Sequence, residues 1–190
     1  MNISRDYATG LLKKYVKGDY LRKHSLASGL IMERLAKRFG ENSDQWYITG
    51  ILHDIDYELV NEDPKQHGVK ASEILAEEGL EEDYIKAIKA HNGENLGITR
   101  ERTIEHALAA SETVTGLIFA SALMMPDKKI ASIKDKSLKK KFKSKSFAAK
   151  VNRDIIREIE KTGIELSEFL SLALEVMKQN ESLLGEGNEN

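Results

Sequence analysis

The sequence predicts an all-α protein, a single-domain helical bundle. Three observations carry that expectation. Apolar residues recur at roughly helical spacing over long segments, Gly and Asn fall mostly between those segments, and the chain has only 2 prolines. At 190 residues, with 41% hydrophobic and 32% charged side chains, it can bury one substantial core and is short for two.

The first strong segment is 20–39, where Leu21, Leu26, Leu30, Ile31, Leu35 and Phe39 mark a helix that Gly40 stops. Asn42, Ser43 and Asp44 form a capping cluster ahead of Trp46, Tyr47, Ile48, Ile51 and Leu52. That second helix is predicted to run through His53 and Asp54 and to end just after Asp56. Asp63 and Pro64 read as an N-cap and first helical position, opening a third helix with Val69, Ile74 and Leu75 that Gly79 ends. A short helix follows over 81–91, broken by Asn92 and Gly93. Residues 99–125 read as one long helix or two abutting ones, central and buried because no face is polar.

Beyond Pro126 the character changes: from Lys128 to Lys150 there are ten lysines and one acidic residue, Asp135. Amphipathic helices are predicted over 147–161 and 165–179. The expected organisation is an N-terminal helical extension (1–19), a core (20–125), a lysine-rich segment with C-terminal helices packed on the core (126–183), and a frayed tail (184–190).

The formal net charge of -2 gives no overall bias towards nucleic acid or membrane. Cysteine is absent, which removes disulfides, thiolate ligands and a cysteine nucleophile. The N-terminal residues lack the basic-then-apolar order of a secretory signal. The longest apolar run, 117–125, is short of the ~20 residues that span a bilayer. A cytoplasmic protein without membrane contact is expected.

Four of the five histidines fall in a suggestive order. His24 is mid-helix, His53 is followed by Asp54, His67 opens the next predicted helix and His91 closes the one after. Singly, a helical His is more often a surface or hydrogen-bonded core residue than a ligand. The segment ITGILHDIDYE, however, places an Asp at the end of an apolar helix, where burial without a partner is costly and a metal would offset that cost. With no thiolate, the ligands are imidazole and carboxylate, which suit Mn, Fe, Ni, Co, Zn or Mg.

LRKHSLASG, GILHDID, QHGVKASEIL and IKAHNG, in that order and spacing, resemble the HD-domain superfamily of metal-dependent phosphohydrolases, in particular its small stand-alone members. The resemblance covers roughly 20–125, and the segment from Ala107 through the lysine-rich run is also similar to that subgroup. It implies a helical bundle of the HD type in which His24, His53 and Asp54 bind a first divalent metal ion. The fourth ligand, usually an Asp on a later helix, corresponds to Glu112, with Glu105 a weaker substitute. His67 and His91 match positions that hold a second ion, bridged through the Asp, in two-metal members; in one-metal members this region contacts phosphate instead. One or two ions are therefore expected, with two preferred. Ions ~3.5–4 Å apart can clamp the attacking and leaving oxygens of a phosphoryl group.

The implied reaction is attack of metal-activated water on a phosphomonoester or phosphodiester, the substrate being a nucleotide or another small phosphorylated compound. Asp54 and Asp56 are the candidate catalytic carboxylates, with Glu58 nearby; helix-end polar residues are the plainer reading of Asp56 and Glu58. Neither GxSxG nor a GxxxxGK[ST] loop occurs. His106, six residues from Glu112 on a helix, falls off the ligand face and reads as structural or exposed. The lysine run has three readings: a substrate-anion contact through Lys140, Lys143 and Lys145, a solvated surface segment, or a nucleic-acid contact. Only Phe142 and Phe147 interleave with the lysines and arginines are scarce there, so nucleic acid is the least favoured partner. A binding or sensing module that keeps the HD fold without turnover is the rival to the enzyme. The oligomeric state is left open.

Overall fold

The computed structural model describes residues 3–184. In chain order the helices are α1 (Arg5–Tyr15), α2 (Asp19–Phe39), α3 (Ser43–Leu52), α4 (Val69–Glu77), α5 (Glu82–His91) and the short α6 (Gly93–Leu96). They continue with α7 (Thr103–Leu123), α8 (Asp135–Lys143), α9 (Arg153–Arg157), a 3-10 turn (Glu158–Thr162), α10 (Leu166–Gln179) and α11 (Glu181–Leu184). No strand occurs among the described residues, so the all-α fold predicted from periodicity is the fold observed.

α2 and α7, each 21 residues long, form the spine. α7 buries Ala107, Leu108, Ala110, Val114, Leu117 and Ile118 completely. By length and composition it would also cross a membrane, but 72% of its most apolar window is buried by the other helices. α2 presents Ala27, Ile31, Met32 and Leu35 to the core and ends where Gly40, at φ +72°, turns the chain.

α2 and α3 meet backbone to backbone. A Cβ at Gly50 would lie 2.6 Å from Gly29 Cα, so only glycine allows the two helices this close. Asn42 fixes the start of α3 by accepting from the Asp44 and Gln45 amides. The pairing sets His24 on α2 beside His53, the residue that follows α3.

Three predicted elements differ. α3 ends at Leu52 rather than beyond Asp56, and residues 53–68 form consecutive turns, with Asn61 and Glu62 in the left-handed region. The cause is tertiary: Asp56 is drawn inward to cap the backbone of Gly68 and Ala71 (both 2.8 Å). α4 therefore starts at Val69, after Gly68 at φ +84°, and His67 precedes the helix instead of opening it. Asp63 caps a tight turn, accepting from the Lys65 amide at 2.9 Å.

The predicted helix over 147–161 is reduced to α9 and the 3-10 turn. The chain before α9 turns at Ala148, at φ +44°, and the Arg153 guanidinium holds that turn by donating to the carbonyls of Ala148 and Val151 at 2.6 Å. Upstream, α8 docks on α7 and α10 through buried Leu138 and Phe142. Leu184, grouped with the tail on sequence, is buried at the end of α11; the rest of that tail, 185–190, lies outside the described residues.

Candidate metal centre

Four imidazoles surround the Asp54 carboxylate, delivered by α2 (His24), the end of α3 (His53), the turn before α4 (His67) and the end of α5 (His91). All five residues are buried. Asp54 Oδ1 lies 3.3 Å from His53 Nε2, 3.2 Å from His67 Nε2 and 3.4 Å from His91 Nε2, while Oδ2 lies 3.4 Å from His24 Nε2.

Each ring is oriented by its other nitrogen. His53 Nδ1–H donates to the Gly50 carbonyl at 2.7 Å, and His91 Nδ1–H donates to the Ile88 carbonyl. His67 Nδ1–H donates to Asp56 at 2.8 Å. His24 Nδ1–H donates to Thr115 Oγ1 at 2.7 Å; the Thr115 hydroxyl spends its own proton on the Glu112 carbonyl, also at 2.7 Å, and so is free to accept. With every Nδ1 protonated, every Nε2 presents a lone pair to the centre, the tautomer a metal-binding histidine needs.

Those lone pairs face each other in two couples, His24 with His53 at 3.1 Å and His67 with His91 at 2.9 Å. Two imidazole lone pairs at such distances repel unless a cation lies between them. In protein alone a shared proton does this. Burial pushes His24 down to about 4, whereas Asp54 outweighs burial and raises its partner His53. Burial also lowers His91, while Asp54 and Asp56 overcome burial to push His67 up to about 10. Against the cost of its own burial, the surrounding imidazoles, His53 foremost, hold the Asp54 carboxyl well below the usual range. A divalent cation satisfies the same donors without the protons, so the residues present fit one.

Glu112 closes the His24–His53 side. Its Oε2 lies 3.9 Å from His24 Nε2, and it can share one ion with His24 and His53, as His53, Asp54 and His91 can share one on the other side. Burial pushes the Glu112 carboxyl up to about 7. Glu105, the weaker substitute, is directed elsewhere: it accepts from the Glu101 and Arg102 amides at the start of α7.

Asp56 does not have the catalytic position expected of it. It is fully buried, with one oxygen on His67 and the other on the Gly68 and Ala71 amides, so it orients a candidate ligand and has no oxygen left for a substrate proton. Glu58 is likewise engaged, accepting from the Lys17 and Gly18 amides at 2.7 and 2.8 Å. His106 stands away from the centre, buried and paired with Glu158 at 2.5 Å.

The centre opens into a cleft of about 870 Å³ bordered by Tyr20, Tyr57, Asn95, Glu112 and Lys150. Lys140, Lys143 and Lys145 do not line it. Because α8 is docked through Leu138 and Phe142, Lys140 sits on the outer surface, and Lys143 and Lys145 line a neighbouring groove. Lys150, not singled out in the sequence, is the lysine that reaches the cleft wall.

Sequence reasoning also missed the residues that hold the ligands. Thr115 carried no signal beyond lying one turn after Glu112. Asn92, read only as a helix breaker, donates to the Pro64 and His67 carbonyls at 2.8 Å and ties the His67 turn to the end of α5. Arg100, 9% exposed, clamps the same end by donating to the Ala90 and His91 carbonyls at 2.9 and 2.8 Å.

An all-helical bundle that converges four Nδ1-anchored imidazoles on one carboxylate defines a histidine–aspartate metal-site protein. Residues 21–122 match the HD domain family, more than half of the chain, and the chain belongs to the HD-domain superfamily of metal-dependent phosphohydrolases. It is 27% identical over 167 residues to the Ribonuclease Y proteins of Thermotoga petrophila and Thermotoga maritima, which covers 88% of this chain and 33% of each relative. Ribonuclease Y of Thermosipho melanesiensis is 33% identical over 93 residues, 49% of this chain and 18% of the relative. The chain thus spans about a third of the length of the Thermotoga relatives. No solved structure matches it.

Proposed function

We propose that this chain is a metal-dependent phosphohydrolase that hydrolyses a phosphate ester of a nucleotide or another small phosphorylated compound. The observation that carries the reading is the pair of facing imidazole couples on either side of Asp54, each with its tautomer fixed by an Nδ1 partner. His24, His53, Asp54 and Glu112 would hold one ion, and His67, His91 and Asp54 a second, with Asp54 Oδ1 near His53, His67 and His91 and Oδ2 near His24. Bound divalent cations supply charge neutralisation for phosphoryl oxygens and a nucleophile formed from water near neutral pH.

The chain's own residues do the rest. The buried helix ends exclude bulk water from behind the histidines, and the open cleft admits a substrate from one side. Lys150 lies on the cleft wall, where an ammonium attracts phosphate. The name Ribonuclease Y, carried by the relatives, favours a phosphodiester over a phosphomonoester.

The test is metal analysis of protein purified without chelator, together with hydrolysis of p-nitrophenyl phosphate and bis(p-nitrophenyl) phosphate. Bound metal and turnover, both abolished in Asp54→Ala, are expected. The departure at Glu112, which also hydrogen-bonds sideways to Thr113 Oγ1, favours as second reading a metal- or nucleotide-binding module without turnover. Tight metal binding with no hydrolysis of any phosphate ester would select that reading. A folded protein with no metal affinity would overturn both.

A further inference from the structure

We infer that a basic groove beside the metal cleft binds the phosphate backbone of single-stranded nucleic acid and leads it past Lys150 towards the metal centre. Only the fate of the bound strand rests on the phosphohydrolase reading; the binding itself does not.

The groove encloses about 670 Å³, and its cations are Lys143, Lys145, Lys150, Arg153 and Arg157, with Asp154 the one acidic residue in its lining. Lys150, Val151 and Asn152 line both this groove and the metal cleft, so the two share a wall. Lys143, Lys145 and Lys150 are exposed and enter no ion pair among the described residues. Arg153 is held by carbonyl oxygens and pairs with no carboxylate among the described residues, and in return it fixes the turn that carries Lys150. Arg157 lies over the Phe142 ring at 5.4 Å and is paired with Glu160 at 3.2 Å, so the exposed lysines carry most of the groove's unbalanced charge.

Charge gives the strand a direction. The cleft lining also holds Glu58, Glu62 and Glu94, of which Glu94 is paired with Arg100 at 2.5 Å, whereas the ammonium of Lys150 is exposed, so a strand with a phosphate at the centre is drawn to the Lys150 side. The groove's volume of about 670 Å³ is that of a small-ligand site, a scale suited to a few nucleotides of one strand. Ala149 and Val151 lie among the cations and can receive sugars and bases, which inorganic polyphosphate lacks. Nucleic acid was the least favoured partner on sequence because arginines are scarce in the lysine run. The fold supplies them from outside that run, at Arg153 and Arg157.

The test is fluorescence anisotropy with a short fluorescein-labelled oligouridylate, in EDTA so that nothing is hydrolysed. The triple variant Lys143→Glu/Lys145→Glu/Lys150→Glu is expected to bind at least about tenfold more weakly. Its salt dependence should be shallower by about 2 in log K against log salt, since each phosphate contact on a single strand contributes about 0.7. A charge-matched control on the outer surface, Lys129→Glu/Lys134→Glu/Lys136→Glu, is expected to bind like the unmodified protein, with circular dichroism showing both variants helical. Equal loss in the control, or no loss in the groove variant, would overturn the inference. So would uridine monophosphate or polyphosphate competing as well, at equal phosphate concentration, as unlabelled oligouridylate. Hydrolysis of bis(p-nitrophenyl) phosphate is followed separately with metal restored. Reporter turnover without strand binding rejects the groove alone, whereas strand binding without turnover supports the groove and rejects the hydrolase.

Discussion

Asp56 and His67 form a buried couple in which the carboxylate takes the imidazole Nδ1–H at 2.8 Å while its second oxygen caps the Gly68 and Ala71 amides. One side chain therefore sets both the ring plane of a candidate ligand and the start of α4. Asp56→Asn removes one acceptor and turns an amide N–H2 against either His67 or the two backbone donors. Outer-shell partners of this kind are worth about 10–100-fold in metal affinity, and a loss in that range is expected by titration calorimetry with Mn. Unchanged affinity would mean that His67 is not a ligand.

Thr115 does for His24 what Asp56 does for His67, with a hydroxyl relayed to the Glu112 carbonyl. Thr115→Val keeps the shape and removes the acceptor for His24 Nδ1–H. Metal affinity should fall about tenfold, at the lower end of the outer-shell range, with α7 still helical by circular dichroism. Thr115→Ser, which retains the hydroxyl, should restore most of it.

The histidines and Asp54 were marked in the sequence by the resemblance of the segments that carry them to the HD family, with imidazole and carboxylate the ligand types open to a cysteine-free chain, and the fold brings these five residues together. The long helices were legible because their apolar residues repeat at helical spacing. The turns over 53–68 were not, since the bonds from Asp56 to Gly68 and Ala71 are tertiary and no local pattern encodes them. Nor was the hold on His53 and His91, which comes from the carbonyls of Gly50 and Ile88; every residue has a carbonyl, so composition cannot mark the ones that matter. The lysines show the same limit. Their abundance was plain, but which of them reaches the cleft depends on how Leu138 and Phe142 dock α8.

Gly50 joins packing to the site: its carbonyl anchors His53, and its missing side chain lets α3 touch α2. In Gly50→Ala the new Cβ would meet Gly29 Cα at 2.6 Å and Gly29 N at 2.8 Å, both backbone atoms that no rotamer change can move. Overpacking of this kind costs about 3 kcal/mol, and the midpoint of urea unfolding should fall accordingly. Metal affinity should drop as well, because separating the helices separates His24 from His53. Gly10→Ala is the control. It lies within α1 with nothing within 4 Å of a new Cβ, so it should stabilise the protein by about 0.5–1 kcal/mol.

Glu105 offers a test of the fold independent of metal. Its carboxylate accepts from the Glu101 and Arg102 amides at 2.8 and 3.1 Å and from Arg102 Nε at 2.7 Å, anchoring the first turn of α7. Burial opposes ionisation, but these donors prevail and hold its pKa below that of an ordinary Glu. A carboxyl whose pKa is lower folded than unfolded binds fewer protons in the native state. Its stabilisation is fully present above the unfolded pKa of about 4.3 and disappears as pH falls through the folded value. Glu105→Ala should therefore destabilise the protein at neutral pH by about 1–2 kcal/mol, as loss of a helix cap does. The gap between the two proteins in urea unfolding should then narrow as pH is lowered below about 4.3. A gap that stayed constant down to acid pH would show that packing of the Glu105 stem, not its charge, secures α7.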